Sequence, residues 1–148
     1  MTPTGPDVVE VALPSHPKCL PLVRALVAES AEVAGFPAED RQRIALGVTE
    51  GITNVMRHGY GGSTDRRIDL VLRAPVGMFR IEIRDYGQFV DPDAIQSRPL
   101  EAVRPGGLGV HLMKATMDSV EYRENDHGGT TLILVKRLAG APQAEEGS

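Results

Sequence analysis

Apolar and polar positions alternate from Val8 to Leu13, and Pro14 ends the run, which predicts a short strand. Ser15 is the expected N-cap of a helix from about Pro17 to Ala34, with Gly35 and Pro37 as its stop signal. A second helix starts near Ala38, where Glu39 and Asp40 suit the positive end of the helix dipole. It runs through His58 and stops at Gly59, with Ile44, Val48, Ile52 and Val55 forming one aliphatic stripe. Arg67 to Arg73 and Met78 to Arg84 read as an antiparallel pair around Ala74-Pro75-Val76-Gly77. The second of these alternates cleanly, so one face should be wet and the other packed. Tyr86 to Pro105 carries little regular signal, and irregular stretches of that length are usually functional lids or disordered. A third helix is expected over Leu108 to Met117, with Leu108, Leu112 and Ala115 at core spacing. Strands near Val120 to Arg123 and Thr130 to Arg137 then flank the turn Asn125 to Gly129. The order βααββαββ lacks βαβ regularity and predicts an α+β fold, a sheet with helices on one face.

Composition narrows the class. The 148 residues are 41% hydrophobic and 24% charged, the balance of one globular domain, expected over residues 8–138. Residues 1–7 and the tail AGAPQAEEGS are expected to be flexible termini. A net charge of -4 gives no global sign of direct nucleic-acid or anionic-membrane binding. No apolar run approaches the roughly 20 residues of a bilayer span, and the N-terminus does not read as a signal peptide. Cys19 is the only cysteine, which excludes an internal disulfide and a cysteine-based zinc cage. Together these point to a cytoplasmic protein. Aromatic content of 4% with no Trp implies an aliphatic core and no base-stacking platform.

The second helix holds the most informative polar group. Glu50, Asn54 and His58 recur every four residues, so each lies only about 40° round the helix from the last. A solvated helix face would give the same spacing. Gly47 and Gly51 beside this line argue otherwise, since each costs about 1 kcal/mol against Ala unless something approaches the backbone closely. Asn54 is also a poor helix former in mid-helix. Asp85-Tyr86-Gly87 ends the alternating strand with a carboxylate able to accept from an amine, although Asp and Gly end many strands as turn formers. Gly106-Gly107-Leu108-Gly109 opens the third helix, where outward N–H groups and the helix dipole suit an anion such as phosphate. Gly128-Gly129-Thr130 enters the last strand and alone is only a turn. Neither G-x-x-x-x-G-K-[ST] nor a strand-to-helix G-x-G-x-x-G is present.

Taken in order, Glu50-x-x-x-Asn54, Asp85-x-Gly87, Gly106-Gly107-x-Gly109 and Gly129-Thr130 resemble the N, G1, G2 and G3 boxes of the GHKL ATPase superfamily. TEGITNVMRHGY, GGLGVHLMKATMDSV and HGGTTLILVKR resemble its small anti-sigma factor serine kinases. The resemblance implies a two-layer α/β sandwich of the Bergerat type, with a mixed, mostly antiparallel sheet and a lid over about Gln88 to Pro105. It implies ATP and Mg²⁺ as cofactors, with Asn54 ligating the Mg²⁺ on the phosphates and Glu50 as general base on a substrate serine. Asp85 would accept from the adenine amine, with Gly87 giving room and Thr130 supporting the same edge. Gly106, Gly107, Leu108 and Gly109 would line the phosphates, with Arg57 and Arg104 as candidate phosphate contacts. His58 is expected to be structural or phosphate-adjacent, and His111, Met113 and Cys19 to serve packing or surface. Phe89 replaces the second glycine of D-x-G-x-G, which implies altered lid mobility. The implied partners are an RNA polymerase sigma factor, a STAS-type anti-anti-sigma factor phosphorylated on serine, and a second copy in a homodimer. The alternative is a non-catalytic, nucleotide-dependent module that sequesters the same partners. A histidine-kinase ATPase reading fits less well, because no dimerisation helix pair is evident and His16 sits in a Pro-flanked turn.

Overall fold

A computed structural model describes residues 8–89 and 113–139. Five strands, β1 (Val8–Pro14), β2 (Arg67–Arg73), β3 (Met78–Asp85), β4 (Ser119–Glu124) and β5 (Thr130–Arg137), form one sheet in the order β1-β2-β3-β5-β4. Every pairing is antiparallel, which sharpens the expected mixed, mostly antiparallel sheet. Helices α1 (Leu20–Val33) and α2 (Ala38–Asn54) and a helical turn at residues 113–116 pack on it.

Strand register puts one apolar row straight across the packed face: Val11, Leu70, Ile83, Leu132 and Tyr122. Ile44, Val48 and Ile52 of α2 are fully buried, as their spacing predicts, and Val23, Val27 and Ala31 of α1 join them. The glycines of α2 are explained by this packing. A Cβ at Gly51 would stand 2.9 Å from both Ile83 Cδ1 and Leu132 Cδ2, and one at Gly47 would stand 2.8 Å from Thr116 Oγ1. What approaches the helix backbone here is therefore the sheet and the third helix.

Three local expectations are corrected. Ser15 does not cap a helix: its hydroxyl donates to Ser63 O at 2.6 Å and accepts from Arg66 N–H at 3.0 Å. His16 caps instead, accepting from Lys18 N–H, and a 3₁₀ turn over Pro17–Cys19 leads into α1. Ala115 is exposed, and Met113, Thr116 and Met117 face inward. The packing role expected of Met113 agrees with its complete burial. Leu108, His111 and Leu112 lie outside the described residues, as do residues 1–7 and 140–148 of the termini.

The opposite sheet face is wet but not bare. Glu82 faces outward between Val71 and Ile133 on the neighbouring strands, and all three are buried. Arg84 Nη2 lies 2.8 Å from its carboxylate, Arg80 Nε 3.2 Å and Arg73 Nε 4.0 Å. The three arginine side chains are each a little over one-third exposed (36–39%), against 11% for that of Glu82. Burial pushes the Glu82 carboxyl upward, but hydrogen bonding and charge from Arg84 and Arg80 outweigh it and hold the group below its ordinary value.

Two outcomes follow from this packing. Gly51→Ala should lower stability by about 1–2 kcal/mol despite better helix propensity, because overpacking dominates; denaturant melts showing a gain would contradict the close approach. Glu82 is depressed on folding, so its contribution is present above the ordinary glutamate value of 4.5 and is lost as pH falls through the folded value. Melting curves of wild type and Glu82→Gln should therefore differ near neutrality and converge in acid.

Candidate functional site

Where α2 ends, the chain widens into a π-helical turn over Val55–Gly59, closed by Tyr60 N–H donating to Val55 O at 2.9 Å. Such turns are rare and concentrate at functional sites. Here it carries the end of the helix over the C-terminal end of β3. Between them opens a cleft. Its floor is apolar, from Val55, Ile83, Tyr122 and Leu132. Asn54, His58, Asp85, Gln88 and Thr130 supply the polar groups, and Gly51 and Gly59 complete the lining.

Asp85 continues the inward-facing series Phe79, Ile81, Ile83, where a carboxylate is out of place, and only 3% of it is exposed. Its Oδ1 accepts from Gly87 N–H at 3.1 Å and Thr130 N–H at 3.0 Å. Its Oδ2 lies on the Gly59 side, 3.6 Å from where a Cβ at Gly59 would stand. Gly129 is required by this arrangement, because a Cβ there would fall 2.3 Å from Asp85 O and 2.7 Å from Oδ1. Gly87 serves a similar close approach, with Gly59 O 3.0 Å from its Cβ position, so the space beside it belongs to the protein's own backbone.

Both side-chain polar atoms of Asn54 are buried, with no hydrogen-bond partner among the described residues. An unpaired buried amide costs about 1–3 kcal/mol, and the cost is recovered if a ligand supplies the partner. Its carbonyl oxygen is a suitable donor for a hard cation. Among the described residues no group of three or more His, Cys, Asp or Glu is gathered for a metal. Mg²⁺ needs none when it is held by one protein oxygen and phosphates. The Asn54 amide therefore fits a Mg²⁺–phosphate group.

Glu50 lies one turn before Asn54, half-exposed and outside the cleft lining. Arg57 is exposed on the π-turn and also outside the lining. Arg104, Gly106, Gly107, Leu108 and Gly109 lie outside the described residues, as does the lid beyond Phe89. Phe89 itself donates its N–H to Gly128 O at 2.9 Å, and no non-glycine residue among those described has positive φ. The position therefore does not demand the glycine that the motif usually carries.

Two residues escaped the motif reading. Tyr60, 5% exposed, donates its hydroxyl to Arg67 O and accepts from Tyr86 N–H at 2.7 Å. Burial holds its phenol above the ordinary value despite the opposing Tyr86 N–H, and the Asp85 charge adds to the rise. Asn125 donates from Nδ2 to Asp85 O at 2.9 Å, and its Oδ1 accepts from His127 and Gly129 N–H. The only sequence signal for Asn125 was its place at the start of a glycine-rich turn.

The profile of the histidine kinase-like ATPase domain family matches residues 13–136. Serine-protein kinase RsbW of Halalkalibacterium halodurans is 30% identical over 143 residues, covering 90% of this chain and 85% of the relative. Serine-protein kinase RsbW of Bacillus subtilis is 28% identical over 144 residues, covering 90% and 88%. Among solved structures, the RsbU and RsbW domains of a Mycobacterium tuberculosis protein align with a TM-score of 0.61 at 20% identity. That match covers 88% of this chain and 32% of the other, and it supports the fold alone. With the family profile matched over nearly all of the described residues and a relative at 30% identity, the chain belongs to the histidine kinase-like ATPase domain family.

Proposed function

We propose that this chain is an ATP-dependent serine kinase acting as an anti-sigma factor. In this reading it binds Mg-ATP, sequesters an RNA polymerase sigma factor and phosphorylates a serine of a STAS-type anti-anti-sigma factor. The observation that carries it is the buried Asn54 amide, without a partner among the described residues, in a cleft shared with Asp85 and one helical turn from Glu50. The names of the relatives, serine-protein kinases matched over most of their length, support the same reading.

Asp85 would accept from the adenine amine, its carboxylate already oriented by Gly87 and Thr130 N–H. Asn54 would hold Mg²⁺, which when bound neutralises phosphate charge during transfer. Glu50 would take the proton of the serine hydroxyl as its oxygen bonds the γ-phosphorus and the bond to the β-phosphate oxygen breaks. No hydrogen bond or ion pair engages the Glu50 carboxylate among the described residues, which suits a base open to a protein substrate. Arg57, and from the undescribed segment Arg104 and the residues Gly106 to Gly109, would complete the phosphate side. No helix among the described residues is long and apolar enough to cross a membrane. The reading places the protein in the cytoplasm, as a homodimer with protein partners and no direct contact with nucleic acid.

Incubation with labelled Mg-ATP and candidate STAS proteins should label a serine. Glu50→Gln should slow transfer by about 10²–10⁴-fold while leaving nucleotide affinity within a few-fold. Tight ATP binding with no labelling by the wild type would instead favour the non-catalytic binding module. Asn54→Ala should leave the melting temperature without nucleotide unchanged or higher, since it removes an unpaired buried amide, and should abolish the rise that Mg-ATP produces. A lower melting temperature with a preserved Mg-ATP shift would remove Asn54 from the site.

A further inference from the structure

The Asp85–Tyr86 peptide group is held at both of its polar ends by side chains from separate parts of the chain. Its carbonyl, Asp85 O, accepts from Asn125 Nδ2 at 2.9 Å; its N–H, on Tyr86, donates to the Tyr60 hydroxyl at 2.7 Å. Side chains take over here where the ladders stop: the registered pairing of β3 ends at Arg84 and Thr131 on the β5 side and at Asp85 and Ile68 on the β2 side. Asn125 stands in the β4–β5 turn, and Tyr60 directly follows the π-turn. Each is itself fixed: Asn125 Oδ1 accepts from two N–H groups of its own turn, and the Tyr60 hydroxyl donates to Arg67 O on β2.

We infer that Asn125 and Tyr60 are positioning residues that set the base selectivity of the nucleotide site by locking the peptide plane from which the Asp85 side chain departs. The inference rests on the reading of Asp85 as acceptor for an exocyclic amine. Rotation of a peptide plane swings the Cα–Cβ direction on either side of it. A carboxylate meant to meet one amine hydrogen in a largely apolar cleft needs that direction fixed, since a misaimed hydrogen bond weakens steeply below about 120°. Thr130 and Gly87 N–H hold one carboxylate oxygen, and the two clamps hold the backbone behind it. The β4–β5 turn thereby contributes to selectivity without touching the base. The glycine requirement at position 129 has the same origin, because that turn must lie against Asp85 for Asn125 to reach it.

The test compares binding of Mg-ATP and Mg-inosine triphosphate, whose base carries an oxygen in place of the amine, by calorimetry on the full chain. Wild type should prefer ATP by roughly tenfold or more, as expected where a site is built to receive a hydrogen-bond donor. Asn125→Asp removes the Nδ2 donor but keeps the oxygen that the turn requires; Tyr60→Phe removes the hydroxyl and keeps the ring. Each should reduce the ATP preference by about fivefold, the worth of one net hydrogen bond, chiefly through weaker ATP binding. The double variant should lose much less than the product of the two, because both act on one peptide plane. Asn125→Gln, which restores a donor on a longer arm, should recover part of the preference. Variants that melt earlier yet keep the wild-type ratio would overturn the positioning role and leave the Asp85 reading standing. A wild type that binds ATP without discriminating inosine triphosphate, or binds neither, would overturn both.

Discussion

The structure turns on one buried carboxylate. Asp85 occupies a position that strand alternation assigns to the packed face, so its charge must be satisfied by the chain around it. Gly87 and Thr130 N–H meet that demand at the carboxylate, while Tyr60 after the π-turn and Asn125 of the β4–β5 turn hold the backbone beside it. Gly129 is bare so that the turn can approach, and Gly87 so that the strand end can lie under Gly59. The cleft is the space left over between these constrained backbones and the aliphatic row of the sheet.

Around that carboxylate the fold separates two kinds of polar group. On the outer sheet face Glu82 is hydrogen-bonded by Arg80 and Arg84, with Arg73 4.0 Å away. In the cleft the polar atoms of the Asn54 side chain are buried and have no partner among the described residues, a local cost that a well-packed domain can carry. Glu82 and Asn54 both hold polar atoms shielded from water, and they differ in that only Glu82 has its partners among the described residues. The clamps from Asn125 and Tyr60 add to what strand pairing gives Asp85, whose registered partner is Ile68 on β2 alone.

Much of this was legible in the sequence where the signal is periodic or local. The stripe Ile44, Val48, Ile52 follows from 3.6-residue spacing, and the five strands from alternation. The four ordered boxes located Asn54, Asp85 and Thr130, which the fold brings to one cleft. Misreadings arose where the deciding partner is remote. Ser15 reads as a cap because that preference is local, yet its partners lie 48 and 51 residues away. Asn125 reads as a turn residue, and its contact with Asp85, 40 residues off, has no sequence signature. Gly47 and Gly51 signalled a close approach, but a helix pattern cannot say whether ligand or protein fills it. Ala115 reads as inward-facing only if the helix phase is one residue off, since Met113, Thr116 and Met117 take the core side.

The central claim is that the Asn54–Asp85 cleft is a nucleotide site. A titration of the isotopically labelled chain with Mg-ATP, followed by amide NMR, tests it most directly. The account predicts the largest shifts at the Asn54 side-chain amide and at the backbone amides of Gly87 and Thr130, with Arg80 and Thr131 on the outer sheet face unmoved. Shifts centred on the outer face, with the Asn54 amide unchanged at saturation, would contradict it.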